Sequence, residues 1–177
     1  MARVTATFPS MKPAVLLALV AVVIPVGGVL VGCGDNKSVS SSDRAALDSF
    51  TDGVRKWQLQ GGDPWNRAFK QGGSALATEG PKAELALTKA SQQITAASNR
   101  ISEPEVRAPL QQLAKTCAAK TTTIKKIDAN TGSLAAIGAG LGELKADGAA
   151  TKRAWDAWVA AAKKKWDANP LAGLKIC

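Results

Sequence analysis

Between Pro13 and Gly32 the chain runs for 20 residues without an ionisable side chain, and this segment fixes where a globular fold can begin. Arg3 and Lys12 precede the run, while Pro25, Gly27 and Gly28 loosen its second half. A basic start, an apolar middle and small residues at the end follow the order of an export signal. Met11-Lys12 would also serve as a compact start to that signal. The alternative is an uncleaved anchor, since about 20 apolar residues cross a bilayer core as one helix. On either reading the folded domain is built from the residues after Gly32.

The run closes on Leu30-Val31-Gly32-Cys33, followed by Gly34-Asp35-Asn36-Lys37 and a group of serines. In that context the tetrapeptide resembles the lipobox of bacterial lipoproteins. The resemblance implies that residues 1–32 are removed, that Cys33 becomes the first residue and carries lipid on its sulfur, and that the chain is held at the outer face of a cell membrane. Two or more acyl chains anchor stably, at about 0.8 kcal/mol per buried methylene. Residues 33–42 are small and polar and suit a tether, leaving 43–177 as the folded domain. The alanine- and lysine-rich, tyrosine-free composition is similar in style to exported lipoproteins of high-GC Gram-positive bacteria; that likeness covers no domain motif.

Without residues 1–32, 145 residues remain, with 21 basic and 14 acidic side chains and a net charge of +7. That length suits one domain. The charge favours an anionic polymer, acidic lipid headgroups or an envelope protein as partner, or simply keeps the surface soluble; export argues against nucleic acid. Lipidation of Cys33 would leave Cys117 and Cys177 as an even pair, for which a disulfide is the economical assignment outside the cell. Two thiols, one in the core and one at a loose terminus, are the alternative. Two cysteines and no histidine make a poor metal set, and no cofactor or metal is expected.

Beyond the tether, apolar residues recur at three- and four-residue steps. Leu47, Phe50, Val54 and Trp57 line a first helix from Asp43, which Gly61-Gly62 is expected to end. Asp63-Pro64 then reads as an N-cap and first position of a short helix carrying Trp65 and Phe69, weakened at Gly72-Gly73. Gly80-Pro81 reads as a turn before a stripe of Leu87, Ala90, Ile94, Ala97 and Ile101. Ser102-Glu103-Pro104-Glu105 starts the next helix, acidic in its first turn, with Val106, Leu110, Leu113, Cys117, Ile124 and Ile127 on one face and Thr121 in the gap. Asn130-Thr131-Gly132 ends it. Leu134, Ile137, Leu141 and Leu144 follow on one face, diluted by Gly138, Gly140 and Gly142, before the chain passes Asp147-Gly148 into a tryptophan-rich helix. The Gly-x-Gly-x-Gly spacing lacks a preceding strand and points to close packing or a kink, not a nucleotide site. No segment alternates as a strand does, so the expected fold is all-α, a bundle of four to five helices.

Trp155, Trp158 and Trp166 share one helical face with Val159 and Ala162, flanked by Lys163, Lys164 and Lys165. Two readings compete. The indoles and lysines form a surface for a membrane or a glycan, or the indoles fill the core of a bundle otherwise poor in aromatics; the second is the better fit to an alanine-rich chain. The absence of histidine excludes Ser-His and Cys-His catalysis, and the carboxylates are scattered along helix faces. The expected function is therefore a non-enzymatic binding or interaction module of the cell envelope. An envelope-active lipoprotein, such as those with which phages block superinfection, is the second class, and a wall-polymer enzyme the third. Sequence leaves the oligomeric state open.

Overall fold

The computed structural model describes residues 39–166. Five α-helices and one π-helical segment form four antiparallel rods. The first rod is α1 (Ser41–Lys56), a π segment (Trp57–Gly62) and α2 (Asp63–Gln71); the others are α3 (Gly73–Asn99), α4 (Pro104–Ala129) and α5 (Leu134–Trp166). No strand occurs among the described residues, and the all-α bundle expected from the sequence is the observed architecture.

The first rod begins two residues earlier than its apolar stripe suggested, because Ser40 caps it: the Asp43 amide donates to Ser40 Oγ at 3.1 Å. Asp43, itself buried, then accepts from the Ser102 amide and hydroxyl at 2.6 and 2.7 Å. Those bonds tie the start of α1 to the loop between α3 and α4. At the same end Lys165 near the end of α5 pairs with Glu103 and Glu105 at the start of α4. This near end therefore gathers the start of α1, the α3–α4 loop and the end of α5. The far end carries the turns at Gly72 and at Asn130–Ser133.

Two expected helix breaks are absent. Gly61-Gly62 does not end the first helix; the helical turn widens to a π segment and runs on into α2, so Asp63 is no N-cap. These glycines serve close approach: a Cβ on Gly61 would sit 2.6 Å from Leu87 Cγ, and one on Gly62 2.9 Å from Trp57 Cζ3. Likewise Gly80-Pro81 lies inside α3. Pro81 and Ala77, whose carbonyl loses a helical donor there, are both exposed, so water can satisfy it. A Cβ on Gly80 would meet Asp128 Oδ1 at 2.5 Å, which is what the glycine avoids. By contrast Gly72 does break the chain, with φ +68°. The remaining starts and stops, at Pro104 and after Ala129, fall where the sequence placed them.

α5 runs unbroken for 33 residues through Asp147-Gly148. Of its three spaced glycines only Gly140 packs closely, against Ile127 of α4, while Gly138 and Gly142 face open space. Leu134, expected on the inner face, is exposed, and Ile137, Leu141 and Leu144 are half-buried.

The core runs through all four rods. Leu47, Phe50, Val54, Leu87, Ile94, Ile101, Val106, Leu110, Leu113, Ile124 and Ile127 are all buried, as are Trp57 and Trp65. The backbones of α1 and α5 nowhere come within 8 Å of one another. Indoles bridge the space: the Phe50 and Trp158 rings lie 5.9 Å apart, and Trp155 meets Trp158 edge-on at 5.4 Å.

Candidate functional site

Each sequence-predicted site residue has a defined position except Cys33 and Cys177, which lie outside the described residues. Cys117 is completely buried on the inner face of α4. Trp158 is 0% exposed, Trp166 2% and Trp155 8%. The surface-binding reading of the three indoles is therefore corrected: all three are buried in the core, where Trp158 reaches Phe50 across the gap between α1 and α5 and Trp155 packs against Trp158. Lys163 and Lys164 stay exposed beside the buried face. Lys165 binds Glu103 at 2.8 Å and Glu105 at 3.2 Å, and this holds its ammonium above the usual lysine range. Glu105 is held below the usual carboxylate range, first by its own backbone amide and then by Lys165.

The sequence did not indicate a polar layer midway along the bundle. Thr121, noted only as a gap in the α4 stripe, is buried and donates to the Cys117 carbonyl at 3.0 Å. Its hydroxyl accepts from Trp57 Nε1 at 3.2 Å, and Ser91 Oγ lies 3.0 Å away. With the Thr121 proton committed to the carbonyl, Ser91 is the donor between the two hydroxyls. The layer thereby ties the π segment, α3 and α4 together with its hydroxyl and indole donors used, as a polar group in a core requires.

Next to it Lys120 Nζ stands 5.1 Å from the centre of the Trp57 ring. Burial pushes its pKa down to about 8, against the pull of the Asp147 carboxylate, which itself accepts from Thr123 at 2.7 Å. Nothing in the α4 periodicity marks Lys120 as unusual; its surroundings come from Trp57 and Asp147, on other helices.

An open groove of about 460 Å³ runs between α3 and α4, lined by Thr88, Thr95, Thr122 and Lys125 over the Ser91 and Thr121 floor. Thr88, Thr95 and Thr122 each donate to the carbonyl four residues back, on Glu84, Ser91 and Ala118. That use of the hydroxyls leaves methyl groups toward the groove. Lys125 pairs with Glu84 at 3.4 Å. Gln92 and Asn99 also line this open surface, among otherwise small side chains. No group of three or more metal-ligating side chains occurs among the described residues. None of the described helices is long and apolar enough to cross a membrane.

Fold and side-chain placement together define an all-α helical bundle with an aromatic core and a buried polar layer. No protein-family model, curated protein or solved structure matches this chain.

Proposed function

We propose that this chain is a lipoprotein held at the outer face of a cell membrane through Cys33, with the helical bundle as a non-enzymatic interaction module of the cell envelope. The observation that carries this reading is the Leu30-Val31-Gly32-Cys33 motif closing the uncharged run from Pro13. Helix α1 is capped by Ser40, so only six residues separate the proposed lipid-bearing cysteine from that cap. That spacing suits a short tether.

Cys117 and Cys177 complete the proposal as a disulfide. Lys165 sets the end of α5 beside Glu105, and Cys117 lies 12 residues further along α4, about 18 Å at helical rise. The 11 residues after Trp166 reach at most about 36–40 Å when extended, ample for the distance. Closing the loop of about 60 residues between the cysteines would stabilise the fold by about 4 kcal/mol in the chain-entropy model.

Intact mass spectrometry of the membrane fraction, with and without reduction and alkylation, tests both assignments. The expected species begins at Cys33, carries acyl mass, and gains two alkylated thiols only after reduction. Retention of residues 1–32 would refute the anchor, and alkylation of both thiols before reduction would refute the pairing.

A further inference from the structure

Unpaired cations are denser at one end of the bundle than at the other. At the far end Lys82, Lys125 and Lys126 are taken up by Glu79, Glu84 and Glu143, and Arg67 and Lys70 on α2 are the exposed cations without an ion pair among the described residues. At the near end one cation, Lys165, holds both carboxylates of the α4 start, Glu103 and Glu105. The Asp43 carboxylate there is buried and engaged by Ser102. Around them Arg44 on α1, Arg100 at the end of α3, Arg107 on α4, and Lys163 and Lys164 on α5 make no ion pair among the described residues. Arg44, Arg100, Lys163 and Lys164 are exposed, and Arg107 is half-buried. The helix directions bring these five cations from four helices to one end.

That end also carries the start of α1. Resting on the anchor reading above, the six residues between Cys33 and Ser40 keep it within about 25 Å of the lipid headgroups even when fully extended. The bundle itself is about 50 Å long, the rise of the 33-residue α5. We infer that the near end is a membrane-facing surface: Arg44, Arg100, Arg107, Lys163 and Lys164 engage anionic lipid headgroups and stand the bundle end-on, with its far end projecting from the bilayer. Electrostatic attraction acts over about 8–10 Å at physiological salt, so a fully extended tether is not held and a short one is. The buried tryptophans take no part in this contact.

The purified lipidated protein, reconstituted in phosphatidylcholine vesicles with or without phosphatidylglycerol, is footprinted with an amine-acetylating reagent and digested for mass spectrometry. Phosphatidylglycerol should lower acetylation of Lys163 and Lys164 by roughly threefold or more, leaving Lys82, Lys145 and Lys152 unchanged. High salt, or the pair Arg44→Gln with Arg100→Gln, should restore labelling; Arg67→Gln with Lys70→Gln at the far end should not. Protection of Lys145 and Lys152 as well would mean that the bundle lies flat and overturns the end-on orientation. Protection that persists in high salt and in the Arg44→Gln/Arg100→Gln variant overturns its electrostatic origin. The N-terminal peptide of the same digest reports acylation of Cys33. If Cys33 is unmodified, the anchor reading falls and this one with it; if Cys33 is acylated and labelling is equal in both lipids, this inference alone is refuted.

Discussion

The two ends of this bundle are closed by opposite means. Toward the near end α1 and α5 stand apart, and Phe50 and Trp158 meet in the space between them, so these two helices touch through rings, not backbone. Toward the far end, and at Gly53 against Ile94 between the two, the rods close on glycine, with Gly140 against Ile127, Gly80 against Asp128 and Gly61 against Leu87. The difference shows how the chain keeps four helices packed: a wide gap is bridged by rings, and a narrow one is made by deleting the side chain.

Removing bulk at the near end should have the largest effect. Trp158→Ala is expected to lower stability by about 3–5 kcal/mol, since the gap cannot collapse without moving α5 as a whole. Trp158→Phe should lose less than half of that, because the Trp158 Nε1 group is buried without an acceptor among the described residues and phenylalanine removes it. Urea unfolding of the two variants checks both values. Equal losses would show that the ring's polar edge, not its volume, sets the stability.

Adding bulk at the far end should be almost as harmful. A Cβ on Gly140 would collide with Ile127 Cγ1, a methylene attached to the branched Cβ close to the α4 backbone, with little freedom to give way. Gly140→Ala should therefore cost about 2–3 kcal/mol, at the upper end for overpacking. In an Ile127→Ala background the same change should be nearly neutral, because the colliding carbon is gone; a double-mutant cycle from denaturant midpoints measures this coupling. Additive losses would mean that the two helices do not meet at this pair.

Much of the fold was legible because apolar spacing carries it. Leu47, Phe50, Val54 and Trp57 recur at helical steps and all are buried, and the α3 and α4 stripes behave alike. The glycines were read less well. Gly72-Gly73 reads only as a weakening of the short helix, yet Gly72 with its positive φ is the break, whereas Gly61-Gly62 and Gly80, which read as an end and a turn, lie inside helices. Sequence shows the propensity cost of a glycine and not the neighbour it makes room for, and Leu87 and Asp128 are distant in the chain. The same holds for the candidate site. The amphipathic tryptophan face was legible, whereas its burial depended on the spacing of α1 from α5, which no local pattern records. Lys120 was invisible for the reason already given: its environment is assembled from Trp57 and Asp147 on other helices.

Between the two ends Lys120 provides a middle-sized test. Its pKa is depressed by burial from 10.5 to about 8, so the fold disfavours its charged form. Below pH 8 the lysine is charged in both folded and unfolded chains and the penalty is complete. From about pH 8 to 10.5 the unfolded chain binds the extra proton, and stability should rise with pH, by on the order of 2 kcal/mol. Lys165 acts in the opposite sense at higher pH: its raised pKa makes its contribution complete below 10.5 and lost above. Lys120→Met should be more stable than the natural chain at pH 7 and should flatten the rise between pH 8 and 10. A rise that survives the substitution would place the titrating group elsewhere.

The smallest effect tests the comparison most directly, because it uses the same residue change as Gly140→Ala with the opposite sign. Gly138 and Gly142 lie one residue either side of the close contact's neighbours, on the same helix, and a Cβ at either position meets nothing within 4 Å. Only backbone entropy and helix propensity then count, and both favour alanine. Gly138→Ala and Gly142→Ala should each stabilise by up to about 1 kcal/mol, read as a higher thermal midpoint. If glycine closes the far end only where a neighbour demands it, three glycines spaced two apart must divide into one that resists a methyl group and two that gain from it. Destabilisation at all three would instead make the whole Gly138–Gly142 face a contact surface, and the far end would no longer be closed at single points.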